Sequence, residues 1–189
     1  MKTASFVFMA LILPKQLLAT ENSSNSKQNS KILIAYFSHS GNTRFLANEI
    51  QNQTGGVLHE IKTVQTYPQD YDSVVDQAKK EQNANFKPEL SSTLSNIDKF
   101  DTVFIGYPNW WGTIPMALFT FFEKNSFARK TIIPFTTHEG SYFGRSVSDI
   151  RLLNPSASVL DGVAIRGRSV RDSSTKREIE SLVKEFSLA

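Results

Sequence analysis

The chain has 189 residues, of which 40% are hydrophobic and 11% aromatic, and its formal net charge is +3. These values are typical of one globular domain with a substantial core, and mildly basic charge spread along a chain gives no nucleic-acid signal. Because there is no cysteine, disulfides, thiol catalysis, cysteine-ligated zinc and iron–sulfur clusters are excluded, and the three histidines are too scattered to suggest a metal site.

The first twenty residues have the pattern of a secretory signal peptide. Lys2 gives a positive start, residues 4–13 form an apolar run, and Leu18-Ala19-Thr20 is a possible cleavage zone. The apolar run is too short for an ordinary membrane-spanning helix, so we expect an exported protein, periplasmic or secreted, with no stable membrane anchor after cleavage. The alternatives are an uncleaved anchor or a start codon assigned too early, and without a signal peptide the protein would be cytoplasmic.

Residues 21–30 are rich in Ser, Asn, Gln and Lys and contain no apolar residue. Such a composition cannot build a packed core, so the segment is predicted to be a disordered linker before a single domain at 31–189.

From Lys31 onward, apolar runs alternate with amphipathic segments, which predicts parallel strands joined by crossover helices. Several runs are continuously apolar, as expected of strands that are covered by helices on both faces of a sheet. Five strands are predicted, at 32–37, 57–62, 102–107, 131–136 and 158–165. Helices are predicted at 43–53, 71–82 and 145–153, and two more begin at Pro115 and at Asp172 or Ser173.

The loop between the first strand and the first helix consists of Ser38, His39, Ser40, Gly41, Asn42 and Thr43. Backbone N–H groups and the dipole at a helix N-terminus stabilise an anion, hydroxyls can add hydrogen bonds, and Gly41 allows close approach. The loop lacks the glycine and lysine pattern of a nucleoside triphosphate site and the glycine pattern of a dinucleotide site. We therefore predict a phosphate site, with an ordinary hydroxyl-capped helix start as the alternative.

Two tryptophans, Trp110 and Trp111, lie in the loop after the third strand, between Pro108, Asn109 and Gly112. Two indoles are costly to expose, so we expect them to pack either in the core or against a flat ligand.

The loop after the fourth strand contains Thr137, His138, Glu139, Gly140 and Ser141. Ligands of open parallel sheets bind at the carboxyl ends of the strands, where this loop begins. His138 could exchange a proton near neutral pH, and Glu139 could repel negative charge on a ligand. The alternative for both side chains is a solvent-facing turn.

The phosphate loop resembles that of flavodoxins, and Gly106-Tyr107-Pro108-Asn109-Trp110-Trp111-Gly112-Thr113-Ile114-Pro115 resembles a bacterial subgroup with a Pro-x-Trp-Trp-Gly loop. The similarity covers about residues 31–167. It implies a flavodoxin-like three-layer α/β sandwich, with a five-stranded parallel sheet of order 2-1-3-4-5 and noncovalently bound FMN. It places the FMN phosphate in the first loop, the flavin ring against Trp110 and Trp111, Gly112 beside the ring, and residues 137–141 at its pyrimidine edge.

The resemblance implies an electron-transfer protein that works with redox partner proteins, as a monomer or weak dimer. The family is usually markedly acidic, and this chain is not. One alternative is an FMN-dependent NAD(P)H:quinone oxidoreductase, which would need a nicotinamide site. Another is a non-redox module that binds phosphate or a nucleotide, which would leave the paired tryptophans without a purpose.

Overall fold

Six parallel strands form one sheet in the computed structural model, which describes residues 31–187. The strands are β1 (Ile32–Tyr36), β2 (Val57–Glu60), β3 (Thr102–Pro108), β4 (Thr131–His138), β5 (Ser158–Val159) and β6 (Val163–Arg166). Their order is β2-β1-β3-β4-β5, and β6 also pairs with β4. The predicted fold and strand order are confirmed, whereas the predicted signal peptide and linker lie outside the described residues.

Four α-helices connect the strands in the described part of the chain and a fifth follows β6. Every start and end that was predicted for them lies within two residues of the observed one. They are α1 (Asn42–Thr54), α2 (Tyr71–Ala84), α3 (Met116–Lys124), α4 (Ser146–Leu153) and α5 (Ser173–Ser187). Local signals explain several ends: the Asp70 carboxylate accepts the Ser73 N–H at 2.9 Å before α2, and Gly55 ends α1 at a φ of 69°. Within residues 31–187, no helix has the length and apolarity needed to cross a membrane.

The prediction of one continuous fifth strand was wrong. The chain forms β5 and β6, which pair with β4 on either side of Pro134. Pro134 has no N–H to donate to a neighbouring strand. Between β5 and β6, Gly162 lies so close to the Pro134 carbonyl that a Cβ at position 162 would be 1.6 Å from its oxygen. The ladder is therefore interrupted where only glycine fits.

Apolar side chains on the two faces of the sheet form two separate cores. Leu33, Val103 and Ile105 face α3 and α4, whereas Ile34 and Phe104 face α1 and α5. This alternation follows from the two-residue repeat of a strand, and it requires amphipathic helices on both faces. The expected stripes are present, for example Leu46 with Ile50 in α1 and Ile179 with Leu182 in α5. Burial in α3 is broader than a stripe, because the helix is buried on most sides, and Phe119 of its predicted stripe is half-buried, as Val75 is in α2.

Gly106 in β3 offers a test of the core packing. A Cβ at this position would lie 2.1 Å from the ring of Phe135, which is fully buried in the neighbouring strand. We expect Gly106→Ala to lower the free energy of unfolding by about 2 kcal/mol or more, as overpacked core positions do. Urea unfolding followed by circular dichroism measures the change.

The control for Gly106→Ala is the double variant with Phe135→Leu. The smaller side chain makes room for the new methyl group, so the double variant should lose less stability than the two single variants together. Strictly additive losses would show that contact with this ring is not the cause.

His59 in β2 makes stability depend on pH. Its ring is half-buried and stacks on Phe121 with ring centres 5.8 Å apart, and its buried Nε2 has no hydrogen-bond partner among residues 31–187. Burial lowers the pKa of His59 below its ordinary value. In the unfolded chain the histidine pKa is about 6.5, so His59 binds a proton more readily there than in the folded chain. The free energy of unfolding therefore falls as the pH drops from about 6.5 to the lower pKa of the folded state.

We expect His59→Phe to lose less stability than the unsubstituted protein between about pH 7.5 and pH 5, because the two remaining histidines are common to both proteins. Urea unfolding at a series of pH values measures the difference. Equal losses in the two proteins would mean that His59 protonates as easily in the folded chain as in the unfolded one.

Candidate functional site

The three predicted loops meet around one cavity at the carboxyl edge of the sheet. Its volume is about 650 Å³, within the range of roughly 300–1,000 Å³ that is common for small-molecule sites. Most predicted site residues line it: His39, Ser40, Asn42, Pro108, Asn109, Trp110, Trp111, Thr137, His138, Glu139, Gly140 and Ser141. Ser38, Gly41, Thr43 and Gly112 belong to the same loops but not to the lining.

The start of α1 forms one end of the cavity. Its N-cap is Gly41, in a left-handed conformation with a φ of 90°, and this residue has no side chain that could cap the helix. Ser38 Oγ accepts the N–H of Arg44 at 3.2 Å. Within the described residues, the backbone N–H groups of residues 40–43 have no hydrogen-bond partner. The alternative prediction, an ordinary hydroxyl-capped helix start, therefore accounts for one backbone N–H group. Four consecutive N–H groups remain that could bind an anion.

Two residues of the first loop are tied to other segments. Thr43 is buried, and its Oγ1 lies 3.1 Å from Thr137 Oγ1 of the third loop. His39 Nε2 donates to the carbonyl of Pro68 at 2.7 Å, ahead of α2. The His39 ring therefore connects the first loop to the chain before α2, and Thr43 connects it to the third loop.

The two tryptophans point in different directions from a tight turn. Trp111 and Gly112 both have a positive φ, 51° and 79°, and Trp110 and Thr113 exchange two backbone hydrogen bonds around them. Such a turn needs left-handed backbone at both central positions, which glycine adopts without strain. Because of this turn, the side chains of the two adjacent tryptophans extend in different directions.

Trp110 is half-buried and packs edge-on against the rings of Tyr67, Phe37 and His39, with ring centres 5.0, 5.4 and 6.0 Å apart. It packs against the core and also lines the cavity, so packing against the core is confirmed and contact with a flat ligand stays a prediction.

Trp111 lies against α2 and remains 46% exposed. Its Nε1 donates to the carbonyl of Val75 at 3.0 Å, and the ammonium group of Lys79 lies 4.5 Å from the ring centre. These two contacts hold the indole at the cavity mouth.

The third loop buries His138 and exposes Glu139, and both residues line the cavity. His138 is buried, its Nδ1 accepts the Gly140 N–H at 2.9 Å, and its ring faces Tyr142 at 4.7 Å. In the neutral form the imidazole proton therefore resides on Nε2. Glu139 is exposed, with its carboxylate beside Gly167. The solvent-facing alternative applies to Glu139 alone.

Asn109 holds the second and third loops together. Its N–H donates to the Thr137 carbonyl at 2.8 Å, and its side-chain amide donates to the Tyr142 carbonyl at 2.6 Å. These bonds fix the amide orientation, and Oδ1 is buried without a partner within residues 31–187. A third bond, from the Arg145 N–H to the Gly112 carbonyl at 2.8 Å, joins the same two loops. Asn109 itself lines the cavity, and its buried Oδ1 is an unsatisfied acceptor.

One wall of the cavity was not anticipated from sequence. It is formed by α2 through Tyr71, Val74, Val75 and Ala78, and Gly167 adds a backbone contact after β6. The apolar spacing in α2 was visible in the sequence, but spacing alone does not distinguish a core face from a cavity wall. Within the described residues, no group of three or more His, Cys, Asp or Glu side chains could hold a metal ion.

Comparison with known proteins agrees with this geometry. Residues 31–183 match a family model described as flavodoxin. The chain belongs to the flavodoxin family. No curated protein matches it. A candidate flavoprotein of Bacteroides eggerthii is 31% identical, with a TM-score of 0.68, over 82% of this chain and 99% of that one.

Two further solved structures are similar to the chain. The flavoprotein of Lactobacillus acidophilus, in complex with FMN, is 26% identical with a TM-score of 0.64, over 79% of this chain and 98% of that one. The oxidised flavodoxin 2 of Bacillus cereus is 21% identical with a TM-score of 0.56, over 84% of this chain and 98% of that one, and its similarity shows the fold alone.

Proposed function

We propose that this protein is an electron carrier that binds FMN noncovalently in the cavity at the carboxyl edge of the sheet. The observation that carries the proposal is the start of α1, where residues 40–43 have four consecutive unpaired N–H groups and two of these residues, Ser40 and Asn42, line a cavity with aromatic walls. The FMN complex of the Lactobacillus acidophilus flavoprotein supports the choice of ligand.

The first loop fits the phosphate of FMN. Residues 40–43 offer backbone donors at the positive end of the α1 dipole, and the exposed hydroxyl of Ser40 adds another. Gly41 has open space where a Cβ would lie, so its role is to supply the left-handed backbone that turns these donors together.

The walls fit a flat ring with one apolar edge and one polar edge. Trp110, Trp111 and the apolar side chains of α2 offer flat or aliphatic surface. At the polar side, His138 lines the cavity and carries its neutral-form proton on Nε2. An imide edge has carbonyl oxygens that can accept such a proton in a hydrogen bond.

FMN, when bound, supplies one- or two-electron chemistry, and the chain needs no covalent catalysis of its own. The chain's residues hold the ligand, exclude water from one side and adjust the local charge. Glu139, exposed at the rim, disfavours extra negative charge nearby. We further propose that the protein exchanges electrons with a redox partner protein and that it is a monomer or weak dimer. If residues 1–20 are a signal peptide, the protein is exported.

Comparing FMN with riboflavin, which lacks the phosphate, tests the role of the first loop. The apoprotein should quench FMN fluorescence on binding and should bind riboflavin at least about tenfold more weakly, because the phosphate bonds are lost. Gly41→Ala should weaken FMN binding by about tenfold, since alanine in the left-handed region costs about 1–2 kcal/mol and shifts the donors, and it should change riboflavin binding little.

Gly55→Ala is the matched control. Gly55 also has a positive φ, 69°, with open space around a Cβ, and it lies at the other end of α1. The two variants should lose similar stability, and only Gly41→Ala should lose FMN affinity. Equal affinities for FMN and riboflavin, or equal losses in both variants, would contradict phosphate binding at this loop.

A second measurement separates a carrier from an enzyme. Stopped-flow mixing of the FMN-loaded protein with NADH or NADPH should give only slow reduction if it is a carrier. Rapid reduction and turnover with a quinone would instead establish the NAD(P)H:quinone oxidoreductase.

A further inference from the structure

A buried tyrosine and glutamate lie behind Trp110, and flavin binding as proposed does not use them. Tyr67 and Glu81 are each only 6% exposed. The Tyr67 hydroxyl donates to Glu81 Oε2 at 2.7 Å, and Gln77 Nε2 donates to Glu81 Oε1 at 2.8 Å. Glu81 lies in α2, and Tyr67 lies in the segment before this helix.

Burial of the Tyr67–Glu81 pair costs free energy that an apolar pair at the same positions would not cost. A buried carboxylate loses its hydration and is tolerated only when its oxygens receive hydrogen bonds, as both do here. Other buried positions of α2, Val74 and Ala78, carry apolar side chains. Burial, and then the hydrogen bond to Glu81, raise the pKa of Tyr67, so the phenol keeps its proton at neutral pH.

Trp110 connects this pair to the cavity. Its ring centre lies 5.0 Å from that of Tyr67 at an interplanar angle of 73°, so the two rings are in contact. Trp110 lines the cavity, whereas Tyr67 and Glu81 do not. An oxidant in the cavity therefore meets the indole first, and the phenol with its hydrogen-bonded carboxylate is next to it.

We propose that Trp110, Tyr67 and Glu81 form a proton-coupled electron relay that restores Trp110 after one-electron oxidation. The oxidant is a radical of the peroxide-derived class, which takes one electron from Trp110 and leaves an indole radical cation. Tyr67 then passes one electron to the indole, and its phenolic proton moves to Glu81 Oε2. The products are neutral Trp110, a neutral tyrosyl radical and a protonated Glu81, so electrons, protons and charge balance.

The carboxylate makes this transfer favourable. A phenol that loses an electron becomes a strong acid, and in a buried site its proton needs an acceptor already in place. Glu81 is that acceptor at 2.7 Å. The relay moves the oxidising equivalent away from the cavity wall, so the indole is spared irreversible oxidation. The relay does not depend on FMN.

Pulse radiolysis with azide radicals, applied to the full chain without ligand, tests the relay. Trp111→Phe is introduced first, because the chain has two tryptophans and Trp110 then remains as its sole indole. Absorption of the indole radical should decay in one phase, and absorption of the tyrosyl radical should rise at the same rate. This rate should not depend on the protein concentration. The phase should also be slower in D₂O, since a proton moves with the electron.

Two substitutions in the same background identify the partners. Tyr67→Phe should abolish the coupled phase, and Glu81→Gln, which keeps the shape but removes the base, should slow it at least tenfold. The matched control is Tyr107→Phe, because Tyr107 is also buried but bonds the hydroxyl of Ser146 at 2.8 Å and not a carboxylate. This control should leave the phase unchanged.

A coupled phase that survives Tyr67→Phe, or an unchanged rate in Glu81→Gln, would overturn the relay. The D₂O measurement needs neither variant to fold, and the absence of an isotope effect would overturn the proton transfer. In the otherwise unsubstituted chain, Tyr67→Phe should increase oxidised Trp110 after exposure to peroxide and iron, measured by mass spectrometry of the peptide. Equal oxidation in both chains would contradict the protective role.

Discussion

Parallel pairing of β1, β3 and β4 is the constraint on which the rest of the structure depends. Tyr36 pairs with Gly106, and Gly106 pairs with Phe135, so the three strands reach the same edge of the sheet. Parallel strands cannot be joined by tight turns, so each is followed by a loop and a helix. Three loops from distant parts of the chain therefore open at one edge, and this alone creates a site.

Hydrogen bonds between these loops then fix the cavity. The hydroxyls of Thr43 and Thr137 join the first loop to the third, and Asn109 and Gly112 join the second to the third. The bond between Thr43 and Thr137 is buried, where a hydrogen bond left unmade is expensive. The loops are held in place before a ligand arrives, which reduces the entropy lost on binding.

α2 gives the cavity its remaining wall and connects it to the interior. The helix presents Val74 and Ala78 to the cavity, accepts the indole N–H of Trp111, and carries the buried Glu81. Trp110 stands between these two environments, with one side in the cavity lining and its edge contacts on Tyr67. The same packing that orients the indole thus also places a phenol and a carboxylate behind it.

Most of the fold and much of the site could be predicted from sequence, because their signals are local. Continuous apolar runs identified β1 to β4, and amphipathic segments with 3.6-residue apolar spacing identified the five α-helices. The position of each loop after a strand identified the edge at which the loops meet. The hydroxyl-rich loop and the paired tryptophans carried the family resemblance, since both are contiguous motifs. These features depend on neighbours in the chain, which is why the sequence by itself determined them.

Tertiary structure alone decided the remainder, because each such feature joins residues far apart in the chain. The interruption between β5 and β6 depends on Gly162 meeting Pro134, and the direction of His39 depends on the Pro68 carbonyl. The wall formed by α2 and the contact of Tyr67 with Trp110 depend equally on how the helix packs. Apolar spacing predicts that a face is buried, but only packing determines what that face is buried against.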